Sequence, residues 1–124
     1  MAILPAKKNF TVNRRADFAL RLTFKQSDGN PINLTGSTVT VQCWSANPKT
    51  KKRITKYADF NVTYTNRTGG IVDINLTDTQ TATFSLDELE YDVLITSSGG
   101  DKNYYLEGTL FISEGYTEWA IQIK

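Results

Sequence analysis

The sequence contains no histidine, and it has only one cysteine and three prolines among its 124 residues. Without histidine the chain lacks the base of a Ser-His-Asp or Cys-His nucleophile and the nitrogen ligands of a Cys/His zinc site. The single cysteine, Cys43, excludes an intramolecular disulfide framework. Carboxylate, lysine and tyrosine chemistry stays open, so the composition argues against an enzyme without excluding one. We expect no catalytic residue, no cofactor and no metal site.

The chain also lacks an excess of charge and a long apolar run. Fourteen Lys and Arg residues against thirteen Asp and Glu leave a net charge of +1, which predicts no general attraction to nucleic acid or to an anionic membrane. No apolar run approaches the ~18 residues of a membrane-spanning helix. The first eight residues do not show the pattern of a signal peptide. The chain is therefore expected to fold in a cytoplasm, with neither nucleic acid nor membrane as a partner.

The size and composition are those of one globular domain. At 124 residues, about two-thirds of the surface of the unfolded chain is expected to be buried on folding. Hydrophobic residues make up 40% and charged residues 22% of the sequence, which is typical of globular rather than disordered chains. No repeat and no shift in composition marks a second domain.

Alternation of apolar and polar side chains with a period of two recurs along the chain and predicts β-strands. It is strongest in residues 16–25, and it returns in residues 38–44, 60–64, 72–76, 91–95, 106–112 and 119–123. The segment 45–57 interrupts the pattern and is predicted to be a long basic loop. Thr77 and Gln80 fit a capping box, which predicts one short helical turn around residues 78–84. The pattern predicts an all-β antiparallel sandwich of about seven or eight strands.

The phase of the alternation also predicts which side chains form the core. The apolar positions that share the inward face are Phe18, Leu20, Leu22, Val39, Val41, Val72, Ile74, Tyr91, Val93, Leu106 and Leu110. Cys43 is in phase with Val39 and Val41, so we expect a buried, inert thiol.

Two charge clusters have a functional and a structural interpretation. The basic cluster at residues 49–56 is either a contact for phosphate or an acidic protein surface, or a solvated loop, and the second interpretation is favoured. The carboxylates Asp87, Glu88, Glu90 and Asp92 do not match a calcium loop, and Glu90 and Asp92 alternate with core residues as exposed strand positions do. The glycine pairs at residues 69–70 and 99–100 are predicted to be hairpin turns rather than phosphate loops.

The aromatic residues Trp44, Tyr104, Tyr105 and Trp119 are candidates for a stacking platform or an interface. Trp44 falls on the face opposite Val41 and Cys43. Trp119 either anchors an interface or closes the sandwich, and the sequence favours neither interpretation.

Several segments occur in an order that resembles the immunoglobulin-like domain at the N-terminus of phage upper baseplate proteins and related small phage tail proteins. These segments are residues 15–18, 24–36, 39–41, 70–78, 89–93 and 106–110. The most distinctive part is segment 28–36, Asp-Gly-Asn-Pro-Ile-Asn-Leu-Thr-Gly, which combines a turn with Ile32, Leu34 and a second bend at Gly36. The resemblance covers roughly residues 8–115. It implies an immunoglobulin-like sandwich without catalytic residues.

The predicted organisation is an N-terminal arm at residues 1–7, a sandwich at 8–115 and a C-terminal strand or arm at 116–124. Ile121 and Ile123 alternate with polar residues, as in a strand that adds to the edge of a neighbour's sheet, and Trp119 is the expected apolar anchor. The alternative is that residues 119–123 pair within their own sheet. The candidate interface residues are Ile3, Leu4, Lys51, Lys52, Arg53, Tyr116, Trp119, Ile121 and Ile123.

The resemblance implies a bacteriophage virion structural protein of the tail, baseplate or fibre adaptor. Its expected partners are other virion proteins, in a symmetric homo-oligomer assembled in the cytoplasm of the bacterial host. A capsid decoration protein is the closest alternative. A carbohydrate-binding module that uses the aromatic candidates is the alternative from a different class.

Overall fold

Strands form wherever the alternation is strong, and they pack as two sheets. The computed structural model describes residues 6–115. The strands within that range are β1 (Ala6–Lys7), β2 (Phe10–Asn13), β3 (Phe18–Thr23), β4 (Thr38–Ala46), β5 (Arg53–Asp59), β6 (Asn61–Asn66), β7 (Ile71–Leu76), β8 (Glu88–Thr96) and β9 (Lys102–Ser113). One helix, α1 (Asp78–Ala82), lies between β7 and β8.

The strand order identifies the architecture. The large sheet has the order β1-β9-β8-β4-β5, with β2 also paired to β9, and the small sheet has the order β3-β7-β6. β1 and β2 run parallel to β9, whereas the other neighbours are antiparallel. An immunoglobulin sandwich places strands B, E and D in one sheet and strands C, F and G in the other, with C′ beyond C in the variable type. The chain is therefore an all-β, immunoglobulin-like β-sandwich, as predicted.

The prediction of a continuous loop over residues 45–57 is wrong, because Arg53–Asp59 forms β5. This strand lies at the edge of the large sheet, and its first four residues are exposed on both faces. Backbone pairing with β4 holds the strand in place, so its side chains do not need to alternate between apolar and polar. The described residues contain nine strands, more than predicted, because β1, β2 and β5 are all short or exposed edge strands.

The N-terminal strands depend on a close backbone approach at Gly108. Ala6 and Lys7 pair with Leu106 and Glu107, so the sheet extends two residues into the segment predicted as an arm. A Cβ atom at Gly108 would lie 1.8 Å from the carbonyl oxygen of Lys8, which only glycine avoids.

The core lies between the two sheets and matches most of the predicted set. The predicted residues that are buried are Leu22, Val39, Val41, Cys43, Val72, Ile74, Tyr91, Val93 and Leu110. Three others, Phe18, Leu20 and Leu106, are partly buried and pack against them. Phe84 and Leu89, which are fully buried, were not predicted because segment 77–89 has no alternation.

The short helix forms as the capping box predicts. The Thr77 hydroxyl accepts a hydrogen bond from the Gln80 backbone N–H, and the Gln80 side chain accepts one from the Thr77 backbone N–H. Thr81, which is buried, bonds both backbone groups of Ala16 through its hydroxyl, at 3.1 and 2.8 Å. This contact ties α1 to the turn that leads into β3.

Candidate interaction surfaces

The outer face of the large sheet carries a shallow depression of about 850 Å³. Strand alternation directs polar and aromatic side chains to this face, opposite the core residues on the same strands. Its floor and rim include Gln42 and Trp44 of β4, Glu90 and Asp92 of β8, and Glu107 and Thr109 of β9. We call it the outer-face depression.

Trp44 is held in the outer-face depression by a chain of contacts. Its indole N–H donates to the Gln42 side-chain oxygen at 3.0 Å, and the Gln42 amide donates to Asp59 at 2.8 Å. The guanidinium of Arg53 lies over the Trp44 ring, 4.7 Å from the ring centroid, in a cation–π arrangement. Arg53 therefore covers part of the surface that Trp44 would offer to a ligand.

The predicted basic cluster is divided by the start of β5. Lys51 lines the outer-face depression, Lys52 is exposed in the preceding loop, and Arg53 is the first residue of the strand. Lys56, further along β5, forms an ion pair with Asp59 at 3.0 Å. The structure thus brings Lys51 and Arg53 to one surface and directs the charge of Lys56 to a partner within the same strand.

The charges of the outer-face depression are mixed in sign. Burial raises the pKa of Asp92, and the nearby Glu107 carboxylate adds to that shift while Arg53 opposes it. Glu107 forms a long ion pair with Lys7, at 3.7 Å. Glu90 accepts a hydrogen bond from the Thr109 hydroxyl at 3.2 Å. A surface with alternating signs does not attract one class of charged ligand over distance.

The aromatic candidates do not form a common platform. Tyr104 is 48% exposed on the outer face, whereas Tyr105 points inward and packs edge-on against Phe24. Neighbouring residues of a strand point to opposite faces, and the register shift between Val93 and Leu94 decides which tyrosine points inward, because it makes Tyr105 the extra residue on β9, beside the inward-facing Leu106. Trp119 lies outside the described residues.

The free edges of the sheets differ in how well they are protected. β5 carries Arg53 and Lys56 and has two register shifts against β4, and β6 has a shift between Thr63 and Asn66. Charges and bulges of this kind discourage pairing with another strand. These features depend on strand register, so the alternation of the sequence does not predict them.

The edge of β3 is regular. Its six residues pair with β7 without a register shift. Its single charged residue, Arg21, is bound to both carboxylate oxygens of Asp73 at 2.9 and 3.1 Å. Among the edges in residues 6–115 that have neither a bulge nor an uncompensated charge, β3 is the longest, with six residues against two in β1 and four in β2, and strand addition therefore fits it best.

Both ends of the described chain lie beside β3. Ala6 lines an apolar notch of about 220 Å³ together with Leu22, Thr23 and Phe24, at the end of β3. Gly115 is held near the start of β3, where the Arg15 guanidinium donates to the carbonyl oxygens of Glu114 and Gly115. Arg15 itself has a φ of 64°, a left-handed backbone conformation that residues other than glycine rarely adopt.

The candidate interface residues of the terminal segments fall outside the described part of the chain. They are Ile3, Leu4, Tyr116, Trp119, Ile121 and Ile123. The structure shows instead where these segments must start, at Ala6 and at Gly115, near opposite ends of β3.

Reactive and metal-binding groups are sparse in the part of the chain that the structure describes. Cys43 is fully buried, and burial raises the pKa of its thiol to about 12. Residues 6–115 contain no group of three or more His, Cys, Asp or Glu side chains placed to hold a metal ion. Over the same range, no helix has the length and apolar character needed to cross a membrane.

No protein-family model and no curated protein matches this chain. Among solved structures, the crystal structure of the Lin-41 filamin domain is similar over 85% of this chain and 84% of that chain. The two share 17% sequence identity and align with a TM-score of 0.43. The sandwich architecture stated above follows from the strand order and register of this chain alone.

Proposed function

We propose that this chain is a structural protein of a bacteriophage virion, a component of the tail, baseplate or fibre adaptor that assembles through protein–protein contacts. The single observation that carries the proposal is the regular, free edge of β3, with both terminal segments starting beside it. An unprotected edge offers unpaired backbone N–H and C=O groups to another strand, which promotes aggregation of a monomer but serves a protein that assembles with its neighbours. The resemblance of segment 28–36 to phage baseplate and tail proteins supplies the virion context.

The mechanism is adhesion by shape and by strand pairing. The partners are other virion proteins and further copies of this chain in a symmetric homo-oligomer, assembled in the bacterial cytoplasm. Apolar side chains of the terminal segments, Ile3, Leu4, Tyr116, Trp119, Ile121 and Ile123, supply the anchors, and Lys51, Lys52 and Arg53 form a second contact surface beside the outer-face depression.

Quantitative mass spectrometry of purified phage particles tests this function. We expect the chain at a constant ratio to other tail proteins, and we expect the purified protein to self-associate as its concentration rises in light scattering. Removal of residues 116–124 should leave a folded protein that no longer enters particles. Absence from particles, together with a monomer at every concentration, would refute the proposal. A constant ratio to the major capsid protein instead would identify a capsid decoration protein.

A carbohydrate-binding module is the second candidate, and exposed Tyr104 beside the outer-face depression is the observation that favours it. The arrangement supports it less well, because Arg53 covers part of Trp44 and Tyr105 points inward and packs against the core. Saturable glycan binding by the monomer, abolished by Tyr104→Ala, would establish this alternative.

A further inference from the structure

The proposed assembly leaves open which segment of a neighbour adds to the edge of β3, and the geometry points to one. The edge of β3 has six residues in regular register, and segment 119–124, Trp-Ala-Ile-Gln-Ile-Lys, has six residues in which large apolar side chains alternate with small or polar ones. We propose that the edge of β3 receives residues 119–124 of a second copy as an added antiparallel strand. This inference rests on the proposed function, since it names the partner and the contact within the assembly.

One register matches the chemistry of both strands. If Trp119 lies opposite Leu22, then Ile121 lies opposite Leu20 and Ile123 opposite Phe18, so each apolar side chain extends the core. Leu20 and Phe18 are only partly buried and can pack against added apolar groups. The charged pair at one end of this register is Lys124 with Asp17, which is exposed. Opposite charges on facing strands stabilise the pairing.

The same register cannot be reached by the segment of the same molecule. Gly115 is held by Arg15, near the first residue of β3. Four residues of extended chain from Gly115 to Trp119 span roughly 14 Å. The distance from Phe18 to Leu22 along β3 alone is about 13 Å. The segment therefore has no length left for the turn that it would need in order to run antiparallel to β3. A molecule therefore cannot place its own segment in this antiparallel register, whereas a second copy can.

Mixing two variants that each carry one added cysteine tests pairing between copies. Ala19→Cys and Gln122→Cys are prepared separately, with tags of different mass, and mixed under mild oxidation. In the proposed register Ala19 and Gln122 face each other directly, within the Cα separation that a disulfide requires. We expect a reducible heterodimer at least tenfold more abundant than with Thr63→Cys, an exposed position on β6 at the other edge of the same sheet. Buried Cys43 contributes little background.

Equal heterodimer yields from Ala19→Cys and Thr63→Cys would overturn the inference. It would also be overturned if the double variant carrying Ala19→Cys and Gln122→Cys formed only an intramolecular disulfide. As a second measurement without oxidation, Ile121→Asp should weaken self-association at least tenfold, whereas Gln122→Asp, on the outer face, should have little effect. Equal effects of the two variants would count against the register.

The test separates this inference from the function on which it rests. A chain that enters particles without the β3 crosslink retains its virion role and uses another surface. A chain that forms the crosslink but is absent from particles pairs as proposed and has a different function.

Discussion

Cys43 shows how the environment of one residue decides its chemistry. The alternation predicted a buried thiol, and the structure confirms it, with the Cys43 sulfur facing the carbonyl oxygen of Ala58 at 3.9 Å. Burial in an apolar core disfavours the thiolate, which is the reactive form of cysteine.

We expect native protein at pH 8 to react with a thiol reagent very slowly, because the pKa of Cys43 is raised to about 12. Unfolding in denaturant should expose the thiol and restore the rate of an ordinary cysteine. Absorbance with a disulfide reagent such as DTNB, with and without denaturant, measures both rates. Rapid native labelling would contradict the buried position.

The ion pair between Arg21 and Asp73 predicts how stability depends on acid. The hydrogen bond from Arg21 is the main cause that lowers the pKa of Asp73 from 3.8 to about 2, with a further hydrogen bond from Thr65. A carboxyl with a lowered folded-state pKa stabilises the fold above its unfolded pKa, and that contribution is lost as the pH falls toward 2.

Asp73→Asn should therefore lower the melting temperature at pH 7 slightly and flatten its decline between pH 4 and pH 2. The effect is small because both side chains are solvent-exposed. Thermal unfolding across this pH range checks the result, with Asp101→Asn as the control on an exposed turn. Parallel pH curves for the wild-type protein and Asp73→Asn would show that the pair does not contribute.

At the scale of elements, α1 and β5 show what local sequence can and cannot predict. The capping box of α1 involves residues three apart, so its two hydrogen bonds were predictable from Thr77 and Gln80. β5 was missed because an exposed edge strand is defined by its backbone partner β4, which lies elsewhere in the chain.

Thr77→Ala should destabilise the protein by about 0.5–2 kcal/mol, the usual cost of losing an N-cap side chain. Thr79→Ala is the matched control, because Thr79 lies two residues further along, is exposed and caps no backbone group. Urea unfolding monitored by circular dichroism gives both free energies of unfolding. If Thr79→Ala cost as much as Thr77→Ala, the capping contribution would be refuted.

At the scale of the whole molecule, stability comes from the core that both sheets share. Leu22 is buried on β3 and faces strands of the large sheet. Removing most of its side chain removes apolar contacts and leaves a cavity that neighbouring groups fill only partly.

Leu22→Ala should lower the free energy of unfolding by about 2–5 kcal/mol. Leu86→Ala, at a leucine that is 42% exposed, should change it by less than about 0.5 kcal/mol. Chemical denaturation of both variants measures the difference. A cost below half a kilocalorie for Leu22→Ala would mean that the inward phase of β3 is assigned wrongly.

The sequence by itself determined the all-β class, the inward face of the central strands, the helix cap and the burial of Cys43. Each of these follows from residues within a few positions of one another, where side-chain periodicity and local hydrogen bonds act directly. The proposed role in a virion rests on the resemblance of segments such as 28–36 and stays a prediction.

Only the tertiary structure decided that β5 is a strand, that Tyr105 packs against the core while Tyr104 stays outside, and that β3 is a long, regular free edge. These features depend on strand register and bulges, which are set by partners distant in the chain. The hydrogen bond from the Arg15 guanidinium to the Glu114 carbonyl oxygen joins residues 99 positions apart and places the start of the C-terminal segment beside β3. No local pattern encodes such a contact, because it exists only once both sheets have formed.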